Sequence, residues 1–85
     1  MYITPKIIKV NVLEEYKIEL LYETGELKIY DMEELLDTCK YYKNLKDIEK
    51  FKKVHIMGLS LEWETGEDIA PELLYENSVL KEQVK

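Results

Sequence analysis

At 85 residues the chain has room for one small domain, and a domain of this size buries only about 60–65% of its unfolded surface. Its 46% hydrophobic and 35% charged residues exclude a disordered composition, and no apolar run approaches the roughly 18–20 residues that span a bilayer. The net charge is −6 and all twelve basic residues are lysine, which argues against direct nucleic-acid binding: a polyanion is repelled, and no arginine fork is present.

The opening Met1-Tyr2-Ile3-Thr4-Pro5-Lys6 lacks a basic stretch followed by a long apolar one, so it does not read as a signal peptide. From Ile7 to Leu13, Ile8, Val10 and Val12 share one face, opposite Lys9 and Asn11 together with Ile7 and Leu13. From Lys17 to Glu23, Ile18, Leu20 and Tyr22 share one face, opposite Lys17, Glu19 and Leu21. This period-two pattern predicts half-buried strands. Thr24-Gly25 then predicts a hairpin whose two-residue loop sets Tyr22 opposite Leu27 and Leu20 opposite Ile29. That register also sets Glu23 against Glu26, a like-charge pair that a wider four-residue loop would relieve.

The strand pattern stops at Asp31. With Glu34 three residues on, it predicts an N-cap and reciprocal box for a helix through Met32, Leu35, Leu36 and Cys39. Tyr41-Tyr42-Lys43 predicts a bend, and Asn44 followed by Asp47 offers a second cap. Leu45, Ile48 and Phe51 recur at helical spacing, with Lys50, Lys52 and Lys53 where positive charge suits the helix dipole. Two short helices, or one kinked helix, are therefore expected over the sheet. The lysines crowd between Lys40 and Lys53, and a solvated helix surface accounts for them.

Val54 opens a second β region. Gly58 as the first residue of a two-residue loop pairs Ile56 with Leu61 and Val54 with Trp63. His55, Met57, Ser60 and Glu62 then point away from the core. A single long strand from Val54 to Glu64, bulged at Gly58, is the competing reading. Trp63-Glu64-Thr65-Gly66-Glu67 repeats Tyr22-Glu23-Thr24-Gly25-Glu26, so it too predicts a glycine turn at a strand end. Nothing else repeats in register, so the match reads as turn chemistry and not as duplication. Pro71 beside Glu72 starts a last helical turn, and the tail from Asn77 either extends it through Leu80 and Val84 or frays.

The order is β-β-β-α-α-β-β with a short C-terminal helical turn: an α+β domain, a small mostly antiparallel sheet with helices on one face. It is expected over residues 1–78, with a tail over residues 79–85. Val10, Leu20, Ile29, Ile56 and Trp63 are expected to point inward together.

Several of these segments carry a family resemblance. They are Pro5, the strand ending at Gly25, Tyr30-Asp31, Leu45-Lys46-Asp47, Phe51-Lys52-Lys53-Val54, and above all Trp63 through Tyr75 with its spacing of Trp63, Gly66, Asp68, Pro71 and Tyr75. Together, from about Ile3 to Val79, the chain resembles the bacterial domain-of-unknown-function family 2442 in its stand-alone form. Glu64 departs from the proline that usually follows the tryptophan. The resemblance implies a small α+β domain with no established activity. Some relatives carry a C-terminal helix-turn-helix domain, and this chain ends too soon for one, so DNA binding does not transfer. Others are encoded beside a second small protein in arrangements suggestive of toxin–antitoxin pairs.

The residues call for no cofactor and no metal. His55 is the only histidine, and across the predicted hairpin it faces Glu62 as a surface pair. Cys39 lies on an apolar helical stripe with no activating histidine near it in sequence; alone it makes no internal disulfide, which fits a cytoplasmic location. Glu64, Glu67 and Asp68 are oxygen donors without the spacing of a calcium loop. No nucleophile, base and oxyanion donor come together, so an enzyme is not expected.

Trp63, Asp68, Pro71, Tyr75 and Tyr30 are the candidate partner-binding residues. In the structural reading, Asp68 pins the chain by accepting backbone N–H groups and Tyr75 covers Trp63. In the functional reading, the aromatics form an exposed anchor patch. The expected function is a non-enzymatic protein-interaction module, antitoxin-like or regulatory, that binds a protein partner or itself and neither nucleic acid nor membrane. The alternatives are an acidic mimic of nucleic acid inhibiting a nuclease or defence system, and a small-molecule or cation sensor.

Overall fold

The computed structural model describes residues 4–83. Four strands form one antiparallel sheet: β1 (Ile7–Val12), β2 (Lys17–Tyr22), β3 (Glu26–Asp31) and β6 (Val79–Gln83), in the order β1-β2-β3-β6. Between β3 and β6 run α1 (Glu33–Thr38), a 3-10 helix (Lys40–Lys46), α2 (Ile48–Phe51), the hairpin of β4 (Val54–Met57) and β5 (Ser60–Trp63), and α3 (Pro71–Asn77). The expected α+β class holds. Ile18, Leu20 and Tyr22 on the inner face of β2 are fully buried against Leu36, Leu45, Phe51 and Leu74 from the helices.

The β2–β3 hairpin forms, but its loop has three residues, Glu23-Thr24-Gly25, and its register differs by one from the expected pairing. Gly25 takes φ +89 and its N–H donates to the Tyr22 carbonyl at 2.9 Å. That left-handed angle closes a bulged turn, and β3 shifts by one residue. Because side chains alternate, the shift exchanges the two faces of β3. Ile18 now opposes Tyr30 and Leu20 opposes Lys28, so Tyr30 and Lys28 face inward while Leu27 and Ile29 turn to the other side. Buried Lys28 is tolerated because its ammonium donates to the Tyr75 carbonyl at 2.6 Å and lies 3.8 Å from the Tyr75 ring centroid.

A second irregularity lies in β1. A bulge between Ile7 and Lys9 turns Ile7 into the core and leaves Ile8 59% exposed, where alternation predicts Ile8 inside. Val10 and Val12 still pack against the core. Of the five residues expected inward together, Leu20 and Trp63 are buried and Val10 is half-buried. Ile29 is on the opposite face, and Ile56 is 36% exposed near the hairpin tip.

The N-cap of α1 is Met32 and not the expected Asp31, which ends β3 and accepts the Glu33 N–H at 2.9 Å from there; the helix stops at Thr38 and Cys39 is extended. The expected bend at Tyr41-Tyr42-Lys43 is a full 3-10 segment, and the second cap is Asp47, which accepts the Glu49 N–H at 3.0 Å. Asn44 instead contributes its carbonyl to the Asp47 N–H.

The β4–β5 hairpin has the two-residue loop and the pairs the sequence predicts, Val54 with Trp63 and Ile56 with Leu61, so the long-strand alternative is excluded. Gly58 supplies φ +59. Ser60, expected to point away, is buried, its hydroxyl donating to the Ile69 carbonyl. The second Glu-Thr-Gly turn copies the first. Gly66 takes φ +100, its N–H donates to the Trp63 carbonyl at 2.9 Å, and the threonine hydroxyl again donates to the next glutamate, Thr65 to Glu67 as Thr24 to Glu26.

Pro71 begins α3, but the helix does not run on through Leu80. Ser78 is extended, with its hydroxyl on the Tyr75 carbonyl, and Val79–Gln83 pairs with the edge of β3 as β6. An open strand edge offered backbone partners that a lone helical tail lacks. The expected continuation through Val84 lies outside the described residues.

The β1–β2 connection holds two consecutive non-glycine residues in the left-handed region, Glu15 at φ 60 and Tyr16 at φ 59. Tyr16 is held there by its hydroxyl on the Lys46 carbonyl and an edge contact with Phe51 at 5.1 Å. Glu15 is exposed, and its carboxylate makes a surface pair with Lys17 at 3.3 Å, a weak compensation. Glu15→Asn is therefore expected to stabilise the fold by about 0.5–1 kcal/mol, since asparagine tolerates this angle better. The measurement is a higher urea midpoint at unchanged slope.

Candidate functional site

The five residues singled out from the sequence do not form one surface. Trp63 is 1% exposed; its indole N–H donates to the Phe51 carbonyl at 2.9 Å and its ring lies 6.0 Å from that of Phe51. Tyr30 is also buried, which pushes its hydroxyl pKa up. Neither ring presents a face to a partner. Tyr75 does not cover Trp63. It packs edge-on against Tyr22 at 4.9 Å, and its hydroxyl donates to Glu26 at 2.6 Å. Pro71 is half-buried at the first position of α3.

Asp68 does pin the chain, but to tyrosine hydroxyls and not to backbone N–H groups. Its carboxylate accepts the Tyr41 hydroxyl at 3.0 Å, its own N–H donates to the Tyr41 oxygen at 3.3 Å, and its carbonyl accepts the Tyr42 hydroxyl at 2.8 Å. Burial, first, pushes the Tyr42 hydroxyl up to about 12, and nearby Cys39 adds to it. The other two carboxylates of this turn also have protein partners, Glu64 with Lys53 at 3.8 Å and Glu67 with Thr65. His55 meets Glu62 across the strands at 3.1 Å, as the hairpin register requires.

These contacts build a groove. One wall is the tip of the β4–β5 hairpin, the other the extended segment Asp68–Pro71, held to β5 by the Glu62–Asp68 bridge and by the Ser60–Ile69 bond. The groove has a volume of about 370 Å³ and is open to solvent. Met57 and Leu59 line it on the hairpin side and Ile69, Ala70 and Pro71 on the other. Met57 and Tyr41, the latter bonded to Asp68 at the groove's lip, are each 53% exposed, and Leu59 is 39% exposed. Asp68 is the carboxylate among the lining residues, and it lies in a stretch, Glu62 to Glu76, that holds six carboxylates and no lysine.

Met57, Leu59 and Tyr41 are the residues the sequence reading passed over. A signal was present. Apolar residues on both sides of a turn glycine sit at a hairpin tip, which a lone hairpin cannot bury. The chemistry on offer is apolar contact beside negative charge. Among the described residues, no group of three or more histidine, cysteine, aspartate or glutamate side chains is placed to hold a metal ion.

A family model described as a protein of unknown function, DUF2442, matches residues 7–79. No curated protein and no solved structure gives a significant match.

Two tyrosine hydroxyls give measurable pH signatures. Tyr42 rises from 10.0 to about 12 on folding, so its contribution is complete below pH 10 and lost as pH climbs through 12. Tyr42→Phe is expected to cost about 1 kcal/mol at neutral pH and to flatten the alkaline limb of the stability curve. The Tyr75 hydroxyl, then Thr24, holds Glu26 below 4.5, so that contribution is present above pH 4.5 and lost as pH falls. Tyr75→Phe is expected to cost about 1 kcal/mol at neutral pH and less in acid, measured by denaturant titration at both ends.

Proposed function

The chain belongs to the DUF2442 family, and we propose that this member is a non-enzymatic protein-interaction domain, regulatory or antitoxin-like, that grips a partner through the groove at the β4–β5 hairpin tip. The observation that carries this reading is the exposure of Met57 and Leu59 at the mouth of a groove whose far wall is Ile69 and Pro71. Fully burying an aliphatic or methionine side chain is worth about 1.5–3 kcal/mol, and with 53% and 39% of their surface left to bury, Met57 and Leu59 together supply roughly 1.5–3 kcal/mol of a partner's affinity. The lysine-free run from Glu62 to Glu76 favours a partner segment that carries positive charge beside an apolar anchor, and speeds its encounter. A net charge of −6 weighs against a nucleic acid in the same role.

The bacterial cytoplasm is the compartment we propose for this activity. Cys39 is a free, half-buried thiol, in keeping with a reducing environment. No helix among the described residues is long and apolar enough to cross a membrane.

The test is a photoreactive residue placed at Met57 in the native host, with a second placed at the exposed Lys50 as control. Met57 is expected to capture one discrete protein that Lys50 does not. Leu59→Asp is expected to weaken the purified complex at least about tenfold while the thermal melt stays within a degree or two. Equal capture from both positions, or a complex indifferent to Leu59→Asp, would overturn the groove as the binding site.

A further inference from the structure

Among the described residues, helices cover the four-stranded sheet on its inner face and none lies over the outer one. The outer face follows from the register: Leu21 opposes Leu27 across β2 and β3, and Ile29 opposes Val79 across β3 and β6. These four residues make an apolar stripe over three strands. Val79 is 70% exposed, and Leu21, Leu27 and Ile29 are each partly exposed. A stripe of this kind on a small domain marks a contact surface.

The charges around the stripe say what fits it. Lys9 and Lys17 share the face with Glu19 and Asp31, and Lys81 reaches across β3 to Glu19 at 3.1 Å. Lys17 lies 4.0 Å from Asp31, and Asn11 donates to Glu19 at 3.2 Å. Among the side chains described on this face, Lys9, Lys17 and Lys81 are positive and Glu19 and Asp31 negative, in a chain of net −6. It is the locally balanced part of an acidic molecule. A basic partner is drawn elsewhere on the surface, and a strongly acidic one gains little here.

We propose that this outer face is where two copies of the chain meet, sheet on sheet about a two-fold axis. In such a contact the same patch serves on both sides, and a mixed-sign rim lets a lysine of one copy meet a carboxylate of the other. Elsewhere the chain divides into a lysine-rich stretch, Lys40–Lys53, and acidic ones such as Glu62–Glu76, so contacts that set two acidic stretches face to face bring like charge together. Four strands of about six residues present roughly 400 Å² of flat face per copy, about 800 Å² over both and below the range of stable interfaces, so the dimer is a weak, reversible one. The surface is separate from the hairpin-tip groove, so the two inferences stand or fall independently.

Sedimentation equilibrium of the full chain from low micromolar to millimolar concentration is the test. The expected result is a mass rising from 10.2 kDa to twice that value. Val79→Lys, at a site already exposed, is expected to weaken the association at least about tenfold without changing the circular dichroism spectrum. Leu27→Lys is expected to do the same. Should Leu27→Lys fail to fold, a photoreactive residue at Val79 gives the second readout, and its inter-copy cross-links are expected to map to β1, β2 and β3. A mass that stays at the monomer value at every concentration would overturn the proposal. So would a dimer indifferent to Val79→Lys, the behaviour of strand-edge pairing through β6, or cross-links that map to the helices or the hairpin.

Discussion

Gly25 sits at φ +89, and that one backbone angle governs the composition of both faces of the sheet. It closes the turn between β2 and β3 with three residues, which fixes β3 in a register that turns Lys28 and Tyr30 inward. The inner face must then accommodate an ammonium group. It does so with the Tyr75 carbonyl and ring, both carried on α3. The same register turns Leu27 and Ile29 outward, so the apolar stripe of the outer face and the polar seam beneath α3 are two consequences of one turn. A buried cation with a single well-placed acceptor is costly to leave unpaired, which ties the docking of α3 to the alignment of β3.

Tyrosine does most of the joining between elements. Tyr16 donates to the Lys46 carbonyl, Tyr41 and Tyr42 bind Asp68, and Tyr75 binds Glu26. Each hydroxyl links segments more than twenty-five residues apart in sequence, while its ring packs near the core or at its edge. In a chain with seven tyrosines and one phenylalanine, this is a use of the ring that composition alone does not separate from an interface. The amphipathic side chain suits a small domain, where few positions are wholly dry. It fills space and satisfies a carbonyl or carboxylate at once.

The sequence makes local geometry easy to read and register hard. Gly58 fixed the second hairpin to the residue, because a two-residue loop with glycine first has few alternatives. Thr24-Gly25 admitted more than one loop length, and the one-residue difference inverted β3. Both helix starts were legible to within a few residues: α1 is capped at Met32, one residue past the expected Asp31, and α2 at Asp47, the second residue of the expected Asn44–Asp47 pair. The β6 strand was not, since its partner in β3 lies about fifty residues back and no local pattern distinguishes it from a frayed helix. The candidate site divides along the same line. Asp68 was visible as an anchor, but its partners Tyr41 and Tyr42 come from a distant segment. Trp63 drew attention as an aromatic, and burial depth is not written in residue type.

The pentapeptide of aromatic-Glu-Thr-Gly-Glu takes one shape in two settings, once between neighbouring strands of the main sheet and once beyond β5. A segment whose conformation is indifferent to its surroundings is specified by its own bonds. That has a kinetic meaning: both turns are able to close on the microsecond scale of isolated hairpins, before any distant element arrives. β6 is the opposite case, since its pairing with β3 closes the longest loop in the sheet. The order of assembly implied is two local nuclei first, helices collapsing across them, and the edge strand sealing the structure last.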